Sequence, residues 1–169
     1  MQEGVMKGTL EALEQVWENP KDVQARGVLM WAATIALNGW MTSGTFGFTP
    51  MHQMGHVLSA KYNATHGATL ACMMVSWMKY FVDRPDNGKY VQFAREVFNC
   101  SLQEAAEKFD NMMRQKGVQT RIRQFGAVEA DLEELTDTVV AVSFGPDGKL
   151  NGFPKMTRED SYQCYKLAL

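Results

Sequence analysis

Histidine occurs three times in the chain, and all three copies lie within fifteen residues, as His52, His56 and His66. The segment runs Met51-His52-Gln53-Met54-Gly55-His56, then through Asn63-Ala64-Thr65 to His66-Gly67. Imidazole suits first-row divalent ions, so such a cluster points first to metal binding. His52 and His56 are four apart and would share one face of a helix, where two imidazoles can converge on one ion. The same spacing is also common on ordinary surfaces and in hydrogen-bonded cores, so spacing alone leaves both readings open. In an unbroken helix rising about 1.5 Å per residue, His66 would lie roughly 21 Å from His52. A break at Asn63 to Thr65 removes that objection, provided the second helix crosses the first steeply.

One familiar two-histidine chemistry is excluded by the next residue. Metalloproteases of the His-Glu-x-x-His type use the glutamate as general base, and here that position is Gln53. A neutral amide cannot take the proton from a metal-bound water.

The elements that must position the histidines read as helices throughout. Met6, Leu10, Leu13 and Trp17 recur at helical spacing and stop at Asn19-Pro20, where proline disfavours helix in the residue before it. From Lys21 to about Met41 the chain is apolar almost all round, which predicts a central helix enclosed by others. Thr42 to Pro50 is rich in turn-forming residues and reads as a loop opening a helix over Met51 to Tyr62. Thr65 stands where it could cap a further helix running from His66 toward Val82. Tyr90, Phe93, Ala94, Val97 and Phe98 mark another helix, and Ser101-Leu102-Gln103-Glu104 is a capping box for the next. Val128, Leu132, Leu135 and Val139 define one more, and Thr157 caps the last after a loop beginning at Gly145. The expected fold is all-α, a mixed helical bundle of about seven helices in one domain over residues 1–169.

The histidine pattern resembles the signature of the iron-containing (group III) alcohol dehydrogenases, in which a histidine, a second four residues on, and a third in a His-Gly step lie on successive helices. Val23 to Gly39 is similar to the helix just upstream in the branch of butanol dehydrogenases and NADPH-dependent aldehyde reductases, and the likeness continues through Thr69-Leu70-Ala71. The resemblance implies the carboxy-terminal helical domain of that dehydroquinate synthase-like fold. It implies His52 and His66 as metal ligands, and His56 as the catalytic and cofactor-binding residue lining the nicotinamide and substrate pocket. The implied ion is Fe²⁺ or Zn²⁺, with NAD(P) and a small alcohol or aldehyde in the complete enzyme.

The family's other two ligands, an aspartate and a histidine four residues later, have no counterpart. Asp22 is followed four residues on by Arg26, and no histidine precedes His52. No glycine-rich turn of the nucleotide-binding type follows a strand either, so Gly44, Gly47, Gly145 and Gly148 read as loop residues. The expectation is a metal half-site that binds its ion weakly, without the cofactor domain and inactive alone. A non-enzymatic helical binding module and an independent three-histidine metalloprotein remain the alternatives.

Composition narrows the partners. With 17 Lys+Arg against 19 Asp+Glu in 169 residues, the net charge of -2 offers no field for nucleic acid. The apolar stretches at Val28 to Leu37 and Ala68 to Val82 are shorter than the roughly 20 residues that span a bilayer, so no membrane partner is expected. Cys72, Cys100 and Cys164 match neither a disulfide framework nor a zinc clip, and Met1-Gln2-Glu3-Gly4 does not begin a secretion signal. A cytoplasmic setting is expected, with a homo-oligomer or a separate amino-terminal half as possible partners.

Overall fold

The computed structural model describes residues 1–44, 50–152 and 154–169. Eight α-helices appear among them, in keeping with the expected all-α bundle of about seven: α1 (Gln2–Glu18), α2 (Val23–Leu37), α3 (Pro50–Tyr62), α4 (His66–Phe81), α5 (Gly88–Phe93), α6 (Leu102–Gln115), α7 (Leu132–Ser143) and α8 (Arg158–Ala168). A π turn over Ala94–Phe98 extends α5, and short 3-10 turns precede α7. Two isolated β-bridges, Phe144 with Leu150 and Leu150 with Met156, pin the loop before α8. The expected loop from Thr42 to Pro50 falls largely at residues 45–49, outside the described residues.

The chain's own caps set most boundaries. Ser101 and Glu104 form the reciprocal capping box of α6, and the Thr157 hydroxyl accepts from the Asp160 N–H at the start of α8. Asp22 likewise accepts from Ala25 and starts α2. Thr65 occupies the N-cap position of α4, but its hydroxyl makes no capping hydrogen bond. Instead Thr69, one turn in, donates its hydroxyl back to the His66 carbonyl at 2.9 Å.

The central helix is α4, not α2. Along α4, Thr69, Cys72, Met73, Val75, Ser76, Trp77, Met78 and Phe81 are all buried, and it packs on α3, α6 and α8. In α2 only Ala25 is buried, while Met30 is 73% exposed, Trp31 61% and Leu37 89%. The apolar composition of α2 is real, but within this chain α1 is its main partner and covers one face. Between that α1–α2 hairpin and the core lies an apolar groove of about 360 Å³, lined in part by Leu10, Leu29, Ala33, Met74 and Phe109.

Three polar contacts tie the core together. The buried Tyr165 hydroxyl donates to the Met54 carbonyl at 2.9 Å, fastening α8 to α3. Asp110 on α6 is buried and accepts from Thr120 at 2.6 Å and from Arg121 Nη2 at 2.5 Å. Tyr80 on α4 donates to Asp160 on α8. Cys72 and Cys164 are fully buried, and burial pushes the Cys72 thiol up to about 12, which suits packing and not nucleophilic chemistry.

Candidate metal centre

Helix α3 begins at Pro50, whose fixed φ suits the first helical position, and it carries His52 and His56 one turn apart. It ends at Tyr62, and Asn63 takes φ +50, a left-handed conformation that asparagine tolerates better than most residues. The reversal sends α4 back over α3 in a packed crossing. Its contact point is Gly55: a Cβ there would stand 3.0 Å from Leu70 Cδ2 and 3.4 Å from Thr69 Oγ1. One turn further along α3, the Ser59 and Thr69 hydroxyls share a hydrogen bond of 3.0 Å.

This crossing places His66, the first residue of α4, against His52 and His56. The Nε2 atoms of His52 and His66 are 3.2 Å apart. All three rings form a compact triangle, with centroids 4.6 Å (His52–His56), 4.7 Å (His52–His66) and 4.9 Å (His56–His66) apart. One ligand atom from each residue lies within 4.8 Å of the others. His52 is half-buried, whereas His56 and His66 are exposed.

The donor set fits a divalent ion. Two nitrogens each about 2.1 Å from one ion and 3.2 Å from each other subtend roughly 100° at it, between octahedral and tetrahedral values. Burial lowers the pKa of His52, and the neighbouring His56 and His66 lower it further. A neutral imidazole with a free lone pair is the form that binds metal.

Gln53, in the protease-like position, is exposed and accepts from Ser143 of α7 at 3.3 Å. The adjacent Glu133 and Glu134 diverge as expected: Glu133 pairs with Arg158 and Glu134 with Lys61. The sequence reading named all three histidines but overlooked Gly55, Ser59 and Thr69, which set the helix approach. A glycine between two histidines in a helix, where it costs about 1 kcal/mol relative to alanine, was the available signal.

Residues 1–169 match the family described as Fe-containing alcohol dehydrogenase family, C-terminal. The chain belongs to the iron-containing alcohol dehydrogenase family. It is similar to NADH-dependent butanol dehydrogenase B of Clostridium acetobutylicum, with 31% identity over 145 residues, covering 79% of this chain and 36% of that protein. It is also similar to the NADPH-dependent aldehyde reductase YqhD of Escherichia coli, with 29% identity over 131 residues, 73% of this chain and 34% of the relative. The crystal structure of NADH-dependent butanol dehydrogenase A from Thermotoga maritima superposes with a TM-score of 0.86 at 33% identity, over 98% of this chain and 44% of that one. The chain therefore spans less than half the length of these family members. Among the described residues no helix is long and apolar enough to cross a membrane.

Proposed function

We propose that residues 1–169 form the metal-binding part of an NAD(P)-linked alcohol dehydrogenase or aldehyde reductase, with His52 and His66 as ligands. The observation that carries this reading is the 3.2 Å approach of the two Nε2 atoms from successive helices. The family match over the whole chain supports it. When bound, Fe²⁺ or Zn²⁺ would polarise the oxygen of a small alcohol or aldehyde while hydride passes to or from the nicotinamide. His52 and His66 bring their Nε2 atoms together, and burial, with the neighbouring His56 and His66, lowers the pKa of His52 and so favours the neutral imidazole that binds metal. His56 stands on the exposed side of the pair, where it would line the substrate and nicotinamide pocket.

Two protein ligands are one fewer than catalytic sites of this kind normally use, so they alone would hold an ion weakly. Turnover would require a nucleotide-binding domain and further ligands from outside residues 1–169. The test is Fe²⁺ and Zn²⁺ affinity of the chain and its His52→Ala and His66→Ala variants, beside an assay with NADPH and butyraldehyde. Binding lost in both variants, with no turnover by the chain alone, is the expected result. Binding unaffected by either substitution overturns the reading.

A second reading, a helical binding module without catalysis, is favoured by one observation, the exposed apolar face of α2 at Met30, Trp31 and Leu37. It predicts no metal binding in the same titration.

A further inference from the structure

We infer that Thr69 is a positioning residue for the metal centre, fixing the backbone of His66 through a hydroxyl relay that begins at Ser59 on the facing helix. The inference rests on the reading of His52 and His66 as ligands and assigns what keeps one of them in place. His66 is the first residue of α4. A helix holds its first turn least firmly, because the N–H groups there have no carbonyl partner within the helix. A side-chain cap is the usual remedy, yet the Thr65 hydroxyl makes no capping hydrogen bond. A ligand at such a place needs another tether.

The Thr69 hydroxyl donates to the His66 carbonyl at 2.9 Å and stands 3.0 Å from the Ser59 hydroxyl on α3. A carbonyl only accepts, so the single hydroxyl proton of Thr69 is committed to His66, and Ser59 must donate in the second bond. The relay therefore runs one way, from Ser59 to Thr69 to the His66 carbonyl, and each bond polarises the next. Thr9, Thr34, Thr136 and Thr138 also donate to a carbonyl one turn back in their own helix, a bond common to helical threonines. What sets Thr69 apart from these four is the second bond, which reaches a hydroxyl on a different helix. Because Ser59 shares α3 with His52, the relay ties the turn that carries one ligand to the helix that carries the other. Thr69 is fully buried, so water does not compete for its hydroxyl. Gly55 leaves the space for it, since a Cβ there would stand 3.4 Å from Thr69 Oγ1.

The test separates the hydroxyl from the packing. Thr69→Val keeps the branched shape and removes the relay, Thr69→Ser keeps the hydroxyl, and Ser59→Ala removes only the first donor. Each is compared with the parent by Zn²⁺ calorimetry and, without metal, by amide hydrogen exchange along α4, with circular dichroism as the check on folding. Thr69→Val is expected to weaken Zn²⁺ binding about tenfold and to speed exchange at residue 69 and Leu70, while Val75 to Phe81 keep the parent's protection. Thr69→Ser should recover most of the binding, and Ser59→Ala should show a smaller loss in the same direction, which carries the test if the valine variant does not fold. Unchanged Zn²⁺ affinity in folded Thr69→Val and Ser59→Ala overturns the inference and leaves the two-ligand reading intact. Protection lost along the whole of α4, without rescue by Thr69→Ser, overturns it as well, since Thr69 would then serve the core alone. A parent that binds no Zn²⁺ overturns both.

Discussion

His52 and His66 present their Nε2 atoms to each other at 3.2 Å, although fourteen residues and a chain reversal separate them. The approach depends on Gly55, one turn along from His52, where α4 lies against α3 with no room to spare.

Substitution of Gly55 should therefore act on the site before it acts on the fold. In Gly55→Ala the new methyl meets the mobile end of Leu70, and helix propensity offsets the crowding. Stability should change by less than about 1 kcal/mol. Gly55→Val adds bulk that must part the helices, destabilising by roughly 1–3 kcal/mol. Metal titration of the two variants, beside urea midpoints, checks the order: the alanine variant should retain binding and the valine variant lose it.

The reversal at Asn63 makes a second demand. At φ +50 a β-branched side chain is strained, so Asn63→Val should cost roughly 1–2 kcal/mol, whereas Asn63→Gly should be neutral or slightly stabilising. Thermal midpoints of the pair decide it. An equally stable valine variant would mean that the backbone there does not need the left-handed conformation.

Acid should uncover the Asp110 contact. Burial acts to raise this carboxyl's pKa, but hydrogen bonds from Arg121 and Thr120 and the charge of Arg121 outweigh it and hold the pKa below its ordinary 3.8. The folded state then binds the proton less readily than the unfolded chain. The resulting stabilisation is present above about pH 4 and is lost as pH falls through the folded value. Asp110→Asn should cost roughly 2 kcal/mol at pH 7, less than a fully buried pair because Arg121 keeps 29% of its side chain exposed. Denaturant midpoints of parent and variant should converge near pH 2.

The apolar face of α2 should make the chain associate with itself. Trp31 and Leu37 are 61% and 89% exposed, on a helix that α1 covers on one side. Sedimentation velocity over a range of concentrations should show oligomers in the parent, with Trp31→Ser combined with Leu37→Ser shifting the population toward monomer. A parent that stays monomeric throughout would show the face to be inert.

How much of this was legible in the sequence varied with the physics involved. Caps and breakers are local, so Asn19-Pro20, Ser101-Glu104 and Thr157 marked helix ends that the structure keeps. The all-helical class followed from periodicity. What failed was the ranking of two apolar helices. Composition shows that α2 and α4 both carry apolar surface, but which one is enclosed depends on the partners that the tertiary arrangement supplies, and those went to α4. The histidines were legible as a cluster because residue type and spacing are visible in the chain. Their convergence turned on a crossing set by Gly55 and Thr69, residues whose importance appears only when two helices meet.

Helix α4 carries a histidine at its first residue and the centre of the core along most of the rest. Global unfolding would for that reason also take the site apart, since α4 cannot leave its place in the core without taking His66 from its partners. A bound ion would then add to the apparent stability of the interior, offsetting part of what a cavity cut at Met73 or Phe81 removes.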